Sequence, residues 1–192
     1  THSAKGAPLA MPLSAIGSCT ADYVLQLDSD LLVGRADRDH DFVGEMIAAM
    51  EVDDTAVTVA LNVPQGADRP FSAGDGRGPW RVEARGSLLH RARLLAARPL
   101  PNSLSGGAPS LSWHRSLDEA VRSRGLRSLR GGRCSTWFVH PANSGKQPVS
   151  DWLLLIDLVE KGSLPATQLG QVDLLGGPVR WLQHRRSEAV VF

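Results

Sequence analysis

Two carboxylates separated by a single residue, at the end of an apolar run, can hold a divalent cation, and Asp28-Ser29-Asp30 offers that arrangement. Hard oxygen ligands suit Mg2+ or Mn2+, a diphosphate would complete the shell, and the metal would neutralise a leaving phosphate. Asp-x-Asp alone is a weak motif, because the chain also contains Asp37-Arg38-Asp39 and Asp39-His40-Asp41. Those two lie in a polar segment and read as a solvated turn or helix cap. Asp28 and Asp30 instead interrupt two apolar runs, 23–27 and 31–33, where an unpaired carboxylate would carry a large desolvation cost. The plainer alternative is that they end a strand and cap the next turn.

The elements that must position these residues follow from periodicity. Residues 23–27 read as a buried strand, and Asp39 and Asp41 are N-cap candidates for a helix over 42–50, whose apolar positions recur at three and four. The β-branched run 56–61 predicts a second buried strand. Strand, helix, strand favours an α/β fold. Residues 64–79 collect Gly, Pro and Asp and read as a long loop. A strand over 80–84, a helix near 88–97 and a second Pro/Gly/Ser-rich stretch over 99–112 follow. Ser116 caps a helix that runs to Arg124 and stops at Gly125, 135–139 is the third strong strand, and a helix over 150–161 stops at Gly162. Residues 162–192 are expected to form an extended C-terminal arm.

The small-residue stretch from Lys5-Gly6-Ala7-Pro8 through Ala15 and Ala21, followed by Asp22-Tyr23-Val24-Leu25-Gln26-Leu27-Asp28-Ser29-Asp30, resembles the nucleotide-sugar-dependent glycosyltransferases of the GT-A fold, particularly family 2-like enzymes. The resemblance implies a GT-A-like mixed sheet flanked by helices. It also implies that Asp28 lies near the donor ribose and metal and that Asp30 ligates the metal, Mn2+ or Mg2+. Some GT-A enzymes complete that shell with a His from a distal strand end. His140 in His-Pro-Ala-Asn-Ser-Gly-Lys occupies such a place, and neutral imidazole suits Mn2+. By the same resemblance Asn143 and Lys146 contact phosphate oxygens, and Lys5 is a basic candidate on the donor side. A lone His after a strand is otherwise a surface or capping residue.

An inverting transfer needs a general base for the acceptor hydroxyl. The family places an acidic residue at a helix start; here its helix pattern lays that position on His114, whereas simple distance favours Asp118. Otherwise Asp118 and Glu119 are first-turn acids favoured by the helix dipole. Trp113 is a candidate to stack on a sugar ring or, more plainly, a core residue.

The resemblance runs from Lys5 to about Lys161 and lacks the nucleotide-base-binding half that precedes this region in GT-A domains. The expectation is therefore a single, incomplete catalytic domain over 1–192, complemented by an N-terminal polypeptide or forming a homodimer through its arm. The expected ligands are a nucleoside-diphosphate sugar donor and a small-molecule or glycan acceptor. A retaining transferase, a nucleotidyltransferase and a non-catalytic α/β binding module are the alternatives.

At 192 residues the chain is long enough to bury roughly 70% of its unfolded surface as one domain. Its 21 Lys and Arg against 20 Asp and Glu give a formal charge of +1, which excludes a strongly basic nucleic-acid binder and a polyacidic disordered chain. No apolar run approaches the roughly 20 residues of a membrane-spanning helix, and the first residues carry no signal-peptide core, so the expectation is cytoplasmic. Cys19 and Cys134 have no metal-type spacing and are expected to be reduced and buried.

Overall fold

Six consecutive uncharged residues, Ala56–Leu61, form the third strand in chain order, β3, and all six are buried. Val57, Thr58 and Val59 are stiff at χ1 and favour extended backbone. The one hydroxyl among the six, Thr58 Oγ1, is satisfied by a 2.7 Å hydrogen bond with Ser128 Oγ. The computed structural model describes residues 2–6, 9–29, 31–62, 68–74, 81–84 and 86–139, together with 153, 156, 157, 160 and 161.

Helix α1 (Ala10–Ser18) leads to β1 (Tyr23–Leu27), β2 (Leu32–Arg35) and α2 (Phe42–Val52) ahead of β3. After β3 come β4 (Arg69–Ala73), β5 (Gly86–His90), α3 (Arg91–Ala96), β6 (Leu104–Ser105), β7 (Ala108–Pro109), α4 (Trp113–Ser123), β8 (Arg127–Gly132) and β9 (Thr136–Val139). Five strands form a sheet in the order β1-β5-β3-β8-β4. β5 runs antiparallel to both of its neighbours, β1 and β3. β3 and β8 run parallel, because the Thr55 carbonyl accepts the Arg127 N–H at their starts and the Asn62 amide donates to the Gly132 carbonyl at their ends, so the sheet is mixed. With its flanking helices this is an α/β fold. The pairs β2-β9 and β6-β7 form two further small sheets.

The chain divides into two compact units. Unit 1 comprises Thr1–Leu27, Val43–Ala60 and Phe71–Arg130, and unit 2 comprises Asp28–Phe42, Leu61–Pro70 and Gly131–Phe192. The core of unit 1 gathers Ile16 of α1, Val57, Leu89, Leu94 and, from α4, Trp113, Leu117 and Val121. In α4 the buried positions 113, 116, 117, 120 and 121 repeat at three and four residues, the period of a helix with one face inward.

Two arginines of the short α3 tie the ends of α1 and α2. Arg91 donates to the carbonyls of Ile16 and Gly17 at the end of α1. Arg93 Nη1 donates to the carbonyls of Met50, Asp53 and Ala56 around the end of α2, all within 3.0 Å. Terminal carbonyls have no intrahelical partner, and cations there also favour the helix dipole.

Several expectations are corrected. No strand forms over 81–84; the strand is β5, and Leu88 and Leu89, expected in a helix, are strand residues exposed by 2% and 0%. A strand buried between two neighbours shows no alternation, so an apolar Leu-Leu pair fits either element. Inside the expected loop 64–79 lies β4, and its place at the edge of the sheet tolerates Pro70, which has no N–H to donate. Strand β8, Arg-Ser-Leu-Arg-Gly-Gly, has no strand-like composition and is held by its sheet neighbours. The stretch 99–112 contains the β6-β7 hairpin, whose turn residues Gly106 and Gly107 have φ of 59° and 79°, as a tight primed turn requires. Helix α4 is entered at Ser112 rather than Ser116, although Gly125, at φ 67°, does follow its end. The helix over 150–161 is seen at Leu153, Ile156, Asp157 and Glu160, and the arm 162–192 lies outside the described residues. Both cysteines are free, as expected, but each is partly exposed rather than buried.

Candidate functional site

The Asp28 turn belongs to unit 2. The Asp28 carbonyl accepts the N–H of Leu31 at 3.1 Å, closing the turn that leads into β2. Asp28 itself is partly exposed, and just before it Leu25 and Leu27 are 37% and 45% exposed. The buried setting that made an unpaired carboxylate costly in the sequence reading is therefore not what surrounds Asp28. The apolar runs on either side of the motif are also not one interrupted strand, since β1 and β2 belong to different sheets.

β2 pairs antiparallel with β9, Leu32 opposite Val139 and Gly34 opposite Trp137. Gly34 is required by close approach: a Cβ there would fall 2.4 to 2.6 Å from three atoms of the Trp137 indole, which is 3% exposed. The Ala36 N–H donates to the Ser135 carbonyl at 2.8 Å beyond the other end of the ladder. His40 Nδ1 and Thr136 Oγ1 share a 2.7 Å hydrogen bond, with His40 5% exposed and Thr136 fully buried.

Near these residues, the Asp68 carboxylate accepts the Cys134 N–H at 2.9 Å. That bond, with a second from the Cys134 thiol, holds the Asp68 carboxyl below its ordinary range, and Arg133 and His40 add to the effect. Reciprocally, the hydrogen bond to Asp68 pushes the Cys134 thiol up, helped by partial burial. A thiol so held stays protonated and is a poor nucleophile at neutral pH. The sequence reading missed His40 because it sits inside a run of aspartates that does form a solvated turn, with Asp37 Oδ1 accepting the Asp39 N–H at 3.0 Å. It missed Asp68 because the bond to Cys134 spans 66 residues and leaves no local pattern.

In unit 1, α4 carries His114 and Asp118 four residues apart, hence on one side of the helix. His114 is the second helical residue and partly exposed, with Ser112 Oγ within 3.3 Å of both ring nitrogens. Asp118 is 5% exposed; its Oδ1 accepts the Val82 N–H at 3.3 Å, and Arg122 Nη2 lies 3.8 Å from its Oδ2. Because the helix starts at Trp113, Asp118 falls in its second turn, and no acidic residue occupies the first. The dipole explanation offered for Asp118 and Glu119 is thus corrected. Trp113 is 8% exposed and belongs to the core beside Leu117, so it presents no open face to a sugar.

The approach to α4 is fixed by Asn102, whose side-chain oxygen accepts the N–H groups of Ser103 and Leu111, both at 3.0 Å. Its amide donates to the Leu111 carbonyl at 3.0 Å and to Ser116 Oγ at 2.8 Å. Lys5 is exposed in a turn of the same unit, held where the Ala4 N–H donates to the Pro109 carbonyl at 2.7 Å.

Of the residues selected from sequence, Asp30, His140, Asn143 and Lys146 lie outside the described residues. Asp28 is described in unit 2, and Lys5, His114 and Asp118 in unit 1. Among the described residues no three His, Cys, Asp or Glu side chains are grouped to hold a metal ion. No helix among them is long and apolar enough to cross a membrane. No protein-family model, curated protein or solved structure matches the chain.

Proposed function

We propose that the chain belongs to a metal-dependent glycosyltransferase of GT-A type, transferring a sugar from a nucleoside-diphosphate donor to an acceptor hydroxyl with inversion. The observation that carries this reading is the β2-β9 register. Leu32 is paired with Val139. In the chain Asp30 stands two residues before Leu32, and His140 comes directly after Val139. The two side-chain types that suit Mn2+ together, carboxylate and imidazole, thus stand in the sequence within two residues of one paired position of the ladder.

In this reading Asp28, Asp30 and His140 hold Mn2+ or Mg2+, which when bound neutralises charge on the departing nucleoside diphosphate. Asn143 and Lys146 contact the donor phosphates. Of the two candidate bases on α4, His114 is favoured over Asp118 by its own surroundings. It is partly exposed at the start of α4, whereas Asp118 is buried and already takes the Val82 N–H.

The test is thermal unfolding of the chain with Mn2+ and a panel of nucleoside diphosphates, repeated on Asp30→Ala and His140→Ala. A ligand that binds only the folded state raises the melting temperature. The expected result is a rise that needs metal and nucleotide together and is lost in both variants. A folded chain that no Mn2+–nucleotide pair stabilises would overturn the proposal. Synthesis with a supporting donor, followed by analysis of the product anomer, then separates inversion from retention.

A further inference from the structure

Between the end of β4, Val82, α4 and the start of β8, unit 1 holds a cavity of about 270 Å3, near the lower limit of roughly 300 Å3 for small-molecule sites. Its walls are of two kinds. Val82, Val121 and Leu126 supply apolar surface, and Asp118, Arg122, Arg127 and Ser128 supply polar groups. Arg127 Nη1 is paired with Asp53 Oδ2 at 2.9 Å, Arg122 with Glu119, and Ser128 Oγ with Thr58 Oγ1.

Asp118 differs from these. Its Oδ1 accepts the Val82 N–H, but the Arg122 guanidinium, its ion-pair partner, stands 3.8 Å from Oδ2, too far for a hydrogen bond. A carboxylate oxygen on a cavity wall is thereby left able to accept from a ligand, on a residue only 5% exposed. The charge of the walls narrows what that ligand is. The Arg122 guanidinium beside Oδ2 already offsets the carboxylate charge and disfavours a cation there, and the Asp118 carboxylate disfavours an anion. A neutral O–H donor suits both, and the apolar walls suit the C–H face of a ring.

We infer that this cavity binds a small neutral polyol of about one sugar ring, with one hydroxyl donating to Asp118 Oδ2. The inference stands apart from the donor reading, because it uses only unit 1 residues and neither metal nor nucleotide. It makes Asp118 a ligand-binding residue rather than a general base.

The experiment titrates isotope-labelled full chain with glucose and with myo-inositol, following the backbone amide resonances. Glucosamine and glucuronate serve as charged rings of similar size. The expected outcome is a saturable shift of the Val82, Val121, Leu126 and Ser128 amides by at least one neutral polyol, with weaker response to both charged rings. Asp118→Asn keeps an oxygen to accept the Val82 N–H but removes the charged acceptor, and should weaken binding about tenfold. Absence of saturable shifts at those amides, equal affinity in Asp118→Asn, or preference for a charged ring each overturns the inference. If the variant does not fold, the wild-type ranking of neutral over charged rings decides alone.

Discussion

His40 and Thr136, 96 residues apart in the chain, are joined by a 2.7 Å hydrogen bond at a buried position in unit 2. Thr136 is the first residue of β9, and His40 ends the turn that precedes α2, so the bond ties the turn after β2 to the strand paired with β2. Replacing His40 by Ala leaves the Thr136 hydroxyl without this partner at a site that water does not reach. A buried hydrogen-bonding group so stranded costs about 1 to 3 kcal/mol. Urea unfolding should show that loss in His40→Ala and a smaller one in His40→Gln. Equal stability of His40→Ala and the wild type would show that the bond contributes nothing.

Asp68 and Cys134 give a second outcome, read through reactivity. The hydrogen bond to Asp68 raises the thiol's pKa, so at neutral pH the folded chain holds less thiolate than an ordinary cysteine would. Asp68→Asn removes the negative charge and should speed alkylation of Cys134 by iodoacetamide severalfold. Cys19 provides the internal reference, since it sits on unit 1, where its thiol donates to the Ala15 carbonyl at 3.3 Å. Faster labelling of both cysteines would indicate general loosening instead and sink the assignment.

How much of this was readable beforehand depends on whether the deciding contact is local. Ala56–Leu61 and Tyr23–Leu27 carry strand character within their own residues, and the sequence reading placed both at the observed bounds. Phe42–Val52 is likewise a local helical pattern. Strand β8 is decided by neighbours 70 residues away, as in the Thr58–Ser128 bond, and its Arg-Gly composition argues for a loop. The chain holds 18 Arg against 3 Lys, a composition that by itself gives none of them a place, yet Arg91 and Arg93 cap two helix ends. For the candidate site, residue types and spacing nominated Asp28, and the family resemblance nominated His114 and Asp118, but burial separates them. Asp118 is turned inward by α4, which starts three residues before the Ser116 cap expected from sequence.

Asp53 links stability to pH. Partial burial raises its carboxyl pKa, but hydrogen bonds from the Thr55 hydroxyl and N–H, together with Arg127 and Arg93, outweigh burial and leave it below its ordinary value. A folded-state pKa below the unfolded one means that the stabilisation is fully present above the unfolded value, near 3.9. It is lost as pH falls through the lowered folded value. Asp53→Asn should therefore be less stable than the wild type at neutral pH, with the gap closing in strongly acid solution. Chemical unfolding across that range measures it, and a gap independent of pH would refute the linkage.

Gly34 makes the ladder beside the proposed donor site sensitive to one methyl group. An added Cβ would overlap the Trp137 ring, with the nearest atoms 2.4 to 2.6 Å away. The backbone at Gly34 needs no left-handed conformation, so the cost of Gly34→Ala is steric alone. Trp137 is 3% exposed and lies opposite Gly34 in the register, which leaves the indole little room to withdraw. Overpacking of this kind typically costs about 1 to 3 kcal/mol. Gly34→Ala should unfold at lower urea concentration, and a second substitution, Trp137→Leu, should restore part of the loss by removing the ring. If the Ala variant is as stable as the wild type, the indole moves freely and β9 is not held against β2 by this contact. If the double variant recovers nothing, the strain lies elsewhere in the ladder.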